Sequence, residues 1–113
     1  MSNCLFCKIA AGEIPVTIVY RGPNVIAFRD ISPQAPTHIL VIPTKHITSV
    51  AAMQPGDVDL VGGLIATAAK IAASEDLQLG YRLVINTGAQ GGQSVDHLHV
   101  HLLGGRPMTW PPG

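Results

Sequence analysis

Charge is scarce in this 113-residue chain: 12% of the residues are charged, seven basic and seven acidic, for a formal net charge of zero. So sparse and balanced a set cannot build the broad basic surface that grips a phosphate backbone, and nucleic acid is not an expected partner. Cysteine is scarcer still, with two residues, so the fold must rest on a hydrophobic core, for which this length is sufficient without disulfides. No segment approaches the roughly 18 uninterrupted apolar residues of a membrane-spanning helix. The amino-terminal Met-Ser-Asn-Cys-Leu-Phe-Cys-Lys has no basic region leading into an apolar run. The expectation is a soluble, cytoplasmic protein with no membrane partner, folded as one domain over residues 1–113. Apolar residues make up 47% of the chain, too many for a disordered one.

What is present is unevenly placed. Three of the five histidines fall within His97-Leu98-His99-Val100-His101-Leu102-Leu103. A period of two fits a strand far better than a helix, and an extended chain puts the three imidazoles on one face and Leu98, Val100 and Leu102 on the other. Same-face residues on a strand lie about 6–7 Å apart, so these three side chains do not readily ligate one metal ion. Divided roles are expected, drawn from imidazole's repertoire of metal ligand, proton shuttle and nucleophile.

Around this motif the pattern predicts an α+β domain: a five-stranded antiparallel sheet with one long and one short helix. One or two helical turns from Phe6 to Ala11 end at Gly12 and Pro15. Strands follow over 17–21 and 24–30 around Gly22-Pro23, then over 38–43, with the prolines of Ile31–Thr37 stiffening a loop between. From Pro55 to Ser74 an apolar stripe (Val58, Val61, Ile65, Ala68, Ala72, widened by Leu60, Leu64 and Ile71) predicts the long helix, with Pro55 in its first turn. Gly62-Gly63 in its middle costs about 1 kcal/mol per glycine relative to alanine, and close packing on the sheet is the expected reason for them. Strands over 81–86 and 98–103 complete the set, separated by Gly88-Ala89-Gln90-Gly91-Gly92-Gln93-Ser94. That loop is either a simple turn or an anion-binding run of backbone amides with the Ser94 hydroxyl. Its position just ahead of the histidines favours the second.

Cys4-Leu5-Phe6-Cys7 could be a redox pair, half of a metal site, or two unremarkable thiols. A redox pair normally follows a strand and opens a long helix, and neither is predicted here. Zinc commonly takes four thiolate and imidazole ligands, so two histidines from elsewhere would be needed, and His46 and one strand histidine could supply them.

The His-φ-His-φ-His-φ-φ run of residues 97–103 is the motif of the histidine triad (HIT) superfamily, and the resemblance extends along essentially the entire chain. Asp30-Ile31-Ser32-Pro33-Gln34-Ala35-Pro36-Thr37-His38, Val41-Ile42-Pro43, Gly91-Gly92-Gln93-Ser94-Val95, Gly104-Gly105-Arg106 and Trp110-Pro111-Pro112-Gly113 are similar to the Hint branch, the nucleoside phosphoramidases. The resemblance implies a homodimer with sheets joined across its interface. It also implies hydrolysis of the P–N bond, or a mixed acyl-phosphate bond, of purine nucleoside 5′-phosphoramidates through a nucleotidyl-histidine. His99 matches the nucleophile, His101 a phosphoryl contact and His38 a supporting hydrogen-bond partner; Ser94 aligns near the leaving amine. Asn86, Gln93 and Ser94 align with phosphate contacts, Asp30 with the ribose-hydroxyl acceptor, and Phe6, Ile9, Phe28 and Ile31 with the walls around a purine nucleoside monophosphate. Relatives that carry the two cysteines imply a structural Zn2+ site at Cys4, Cys7, His46 and His97; no organic cofactor is implied. Thr87 and Asp96 depart from the better-known pattern, which bears on substrate preference rather than reaction class, and Asp96 is expected to face solvent.

Three alternatives carry different chemistry: a zinc-stabilised nucleotide-binding interaction or regulatory protein, a dinucleoside polyphosphate hydrolase, and a metallohydrolase in which His97 and His99 share a catalytic zinc.

Overall fold

The computed structural model describes residues 3–113; the first two residues of the expected domain lie outside the described part. Its elements run α1 (Leu5–Ala10), β1 (Ile18–Arg21), β2 (Val25–Arg29), β3 (Thr37–Pro43), α2 (Val58–Ser74), β4 (Tyr81–Val84) and β5 (Val100–Gly104). All five strands join one antiparallel sheet in the order β1-β2-β3-β5-β4. The expected architecture is therefore present. β3 is central and buried along nearly its whole length, as its run of Ile, Leu and Val requires.

Strand alternation gives the sheet two unlike faces. On one, Ala27, Ile39, Val41, Val100 and Leu102 pack against Val61, Leu64, Ala68, Ile71 and Ala72 of α2. On the other, Ile26, Phe28, Leu40 and Ile42 pack against Phe6 and Ile9 of α1. His38 and His101 belong to this second face, since Leu40 opposes His101 in the β3–β5 register.

Four details differ from expectation. The helix begins as a separate 3-10 turn over Pro55–Asp57 and becomes α2 at Val58. Val58 and Ile65 of the expected stripe are exposed, because the buried arc centres on Leu64 and Ala68. A Cβ on Gly62 or Gly63 would meet nothing within 4 Å, so these glycines do not serve close packing on the sheet. β5 starts at Val100 rather than Leu98. Thr44 N–H turns to Asn24 O on the β2 side, so the edge of Pro43 faces β5, where a proline has no N–H to extend the ladder. Leu98 N–H goes instead to Ile47 O at 2.6 Å.

No helix among the described residues is long and apolar enough to cross a membrane.

Candidate functional site

The break in the ladder at Pro43 leaves its carbonyl free for a side chain. His97 Nε2 lies 2.8 Å from Pro43 O; a carbonyl only accepts, so Nε2 carries the proton and Nδ1 keeps its lone pair. That Nδ1 stands 3.3 Å from Cys4 Sγ and 3.5 Å from Cys7 Sγ, and His46 Nδ1 stands 3.3 Å from Cys7 Sγ. One donor atom from each of the four residues lies within 4.8 Å of all the others. Tetrahedral zinc with its usual Zn–N and Zn–S bonds would separate such donors by roughly 3.5 Å. Donor set, tautomer and spacing all fit a zinc site.

The next histidine is fixed the opposite way. His99 Nδ1 lies 2.7 Å from His97 O, so Nδ1–H donates to that carbonyl and Nε2 holds the lone pair. His99 is 3% exposed, and its ring lines a cavity of about 290 Å³, near the lower size of small-ligand pockets. Phe6 stands edge-on to it, ring centres 5.0 Å apart.

A third arrangement sets His101. Gln34 N–H donates to His38 Nδ1 at 3.0 Å, so neutral His38 carries its proton on Nε2, which lies 2.9 Å from His101 Nδ1. His101 in turn carries its proton on Nε2. Asp30 Oδ2 approaches His38 Nε2 at 3.5 Å, and Asp30 Oδ1 accepts Ser32 N–H at 2.8 Å. Asp30, His38 and His101 also lie close enough to hold an ion. With His38 Nδ1 already accepting from a backbone amide, however, a metal on Nε2 would demand an imidazolate, and the trio works as a hydrogen-bond relay.

Electrostatics keep these rings neutral. Burial pushes His101 down to about 4, helped by neighbouring His99 and His38 and opposed by Asp30. Burial also lowers His38 against the pull of Asp30. It lowers His97 too, opposed by the Pro43 hydrogen bond and reinforced by His46 and His99. At neutral pH the site therefore offers a proton donor on His101, without a cationic imidazolium at His97, His38 or His101.

The structure gathers most of the expected residues around the cavity: Phe6, Ile9, Phe28, Asp30, Ile31, Ser94, His99 and His101 all line it. Ile31 is 93% exposed and sits at its rim. Asn86 and Gln93 do not line it, because their side chains brace the glycine loop. Asn86 Nδ2 donates to Gly91 O, Gln93 Oε1 accepts Gly88 N–H, and Gln93 Nε2 donates to Thr48 O and Val95 O. A Cβ on Gly91 would collide with the Thr87 carbonyl, so only glycine lets this turn close. Asp96 is exposed, as expected.

Sequence reasoning missed Leu40, Ile14, Pro15, Val16 and Val95 among the walls. Leu40 had a signal, since it shares strand parity with His38. The segment 14–16 had none, because a loop reaches the cavity only through tertiary folding. The Pro43 and His97 carbonyls, which set two tautomers, are backbone groups and carry no residue-type signal.

The family described as the HIT domain matches residues 11–108. The chain is 52% identical to a 14 kDa zinc-binding protein of Zea mays, over 99% of this chain and 89% of that one. It is 49% identical to the adenylylsulfatase HINT1 of Arabidopsis thaliana, over 99% of this chain and 78% of that one. Among solved structures, a HIT family hydrolase from Legionella pneumophila Philadelphia 1 superposes with a TM-score of 0.96 at 56% identity, covering 98% of this chain and all of that one. The histidine arrangement, the fold and the matched length agree, and the chain belongs to the histidine triad (HIT) family.

Proposed function

We propose that this protein is a nucleotide hydrolase that cleaves the P–N, or mixed acyl-phosphate, bond of purine nucleoside 5′-phosphoramidates through a nucleotidyl intermediate on His99. The observation that carries this reading is the tautomer of His99: Nδ1–H is committed to His97 O at 2.7 Å, which leaves Nε2 as a lone pair at a largely apolar cavity. A neutral imidazole needs no prior deprotonation to attack phosphorus. The attack forms an N–P bond at Nε2 as the P–N bond to the amine breaks. The ring becomes cationic, and the His97 carbonyl accepting Nδ1–H supports that charge. His101, its proton held on Nε2 by the relay from Gln34 through His38, donates to a phosphoryl oxygen. Ser94, which lines the cavity, is assigned to the departing amine, and its hydroxyl relays to that nitrogen the proton it takes up from solvent. Water then breaks the nucleotidyl–imidazole bond, releases the nucleoside monophosphate and restores Nε2. Asp30 accepts from the ribose hydroxyls, and Phe6, Ile9, Phe28 and Ile31 enclose the base.

Cys4, Cys7, His46 and His97 would hold a structural Zn2+, which supplies folding energy to the amino-terminal turn. The four-donor group contains His97 and not His99, which disfavours a catalytic zinc shared by those two. In the proposed homodimer, β4 pairs with a second copy. β4 is the sheet edge beside β5; sedimentation at micromolar concentrations checks this.

His99→Ala separates the enzyme from a nucleotide-binding interaction protein. The expected outcome is lost turnover of an adenosine 5′-phosphoramidate with retained fold and AMP binding. Undiminished turnover would refute the assignment.

A further inference from the structure

α1 is six residues long, well short of what holds together alone in water. Two kinds of anchor fix it. Cys4 is its N-cap, with Sγ accepting Cys7 N–H at 3.4 Å, and both thiols belong to the four-donor group with His46 and His97. Between them in the chain, Phe6 is 4% exposed and its ring stands roughly perpendicular to those of His97, His99 and Phe28, at 5.9, 5.0 and 5.6 Å between centres. One helical turn thus carries two metal ligands and the wall against the nucleophile's ring. A second link runs through the backbone: the residue whose Nδ1 faces the thiols is the residue whose carbonyl holds His99 Nδ1–H.

We propose that Phe6 is a positioning residue for His99, and that the metal site is its clamp. With Cys4, Cys7, His46 and His97 joined through one ion, the Phe6 ring and the His97 carbonyl together confine the His99 imidazole to the orientation that presents Nε2 to the cavity. This inference rests on the nucleophile and zinc assignments above and gives the metal a consequence beyond holding the amino-terminal turn. The carbonyl selects which nitrogen is protonated; the Phe6 ring, perpendicular to the imidazole with centres 5.0 Å apart, occupies the space into which the imidazole would turn. Losing either the clamp or the ring loosens the same degree of freedom. Reaction geometry is steeply sensitive to such loosening, and a misplacement of about 1 Å can cost on the order of 100-fold.

Shared action has a signature, because perturbations that act through one contact are not additive. Wild type and Phe6→Leu are compared with zinc bound and after chelation. Long-range proton–nitrogen NMR of labelled histidines reports the His99 tautomer, and single-turnover cleavage of a fluorogenic adenosine 5′-phosphoramidate is followed in the same four samples. Zinc-loaded wild type should show a single Nδ1–H tautomer. Chelated wild type and zinc-loaded Phe6→Leu should both show averaging between tautomers. Phe6→Leu should keep stoichiometric zinc and, at saturating substrate, cleave about tenfold more slowly, with chelation then adding less than about twofold. Independent, multiplying effects would overturn the proposal, as would an unchanged His99 tautomer in chelated wild type. So would a Phe6→Leu defect confined to AMP affinity, which would make Phe6 only a wall for the base. The chelated wild type gives the comparison without a substitution, should the variant fold poorly. If zinc-loaded wild type does not cleave the substrate, the proposed reaction fails, while the tautomer comparison still decides whether metal and Phe6 position His99.

Discussion

On one face of the sheet, the 17-residue α2 covers a continuous aliphatic layer; on the other, the six-residue α1 covers only part of a layer that opens into a cavity beside His99 and His101. The same strands build both. Ile39 and Val41 of β3 and Val100 and Leu102 of β5 face α2, while Leu40 and His101 line the cavity and His38 shares their side of the sheet. Period-two alternation lets neighbouring residues of one strand serve stability and chemistry separately. Substitutions on the α2 face should therefore change the folding equilibrium, and those on the α1 face the reaction.

The largest effect is expected on the α1 face: His99→Ala should reduce turnover at least about 10³-fold while circular dichroism and AMP binding stay close to wild type. Leu64→Ala, on the fully buried α2 face, should cost about 2–5 kcal/mol of unfolding free energy through a lost side chain and the cavity it leaves. Denaturant titration measures that loss, and kcat of the folded fraction should hold. Equal damage to kcat would show that the two faces are not separable.

Acidification probes the contrast more gently. An unfolded histidine titrates near 6.5, whereas burial holds His101 down to about 4 and lowers His38 as well. Between those values the unfolded chain binds protons that the folded chain refuses. Stability on this account is complete above about pH 6.5, falls as the pH drops toward about 4, and levels off below. Thermal melts across this range should show the fall, and His101→Gln should flatten it. The smallest effect is expected at Gly62→Ala. With nothing within 4 Å of the added methyl, α2 should gain up to about 1 kcal/mol in a chemical melt. A loss instead would mean that a second copy packs against the outer side of α2.

Much of this layout was legible in the sequence, for reasons tied to particular residues. The alternation of His97–Leu103 placed imidazoles and aliphatics on opposite sides, and the Val61–Ala72 stripe marked the helix that covers the aliphatic side. The stripe reads wider than the buried arc, because Val58 and Ile65 satisfy helical periodicity while lying outside it. The start of β5 was misplaced because the ladder ends through a proline on another strand, 55 positions before Leu98. The cluster of Cys4, Cys7, His46 and His97 is legible only through family resemblance, since spacing alone admits three readings of the cysteines. What no residue pattern could show is how the site sets its protons. The Pro43 and His97 carbonyls and the Gln34 amide decide which nitrogen of His97, His99 and His38 is free, and all three are main-chain groups brought into place only by folding.

The most direct test of the account is rapid-quench mass spectrometry during turnover of an adenosine 5′-phosphoramidate. The expected result is a transient mass gain of one adenylyl group, mapped by fragmentation to His99 and absent in His99→Ala. Amine release at wild-type rate with no adduct at His99 at any time, under conditions where a synthetic adenylyl-histidine survives the quench, would contradict it.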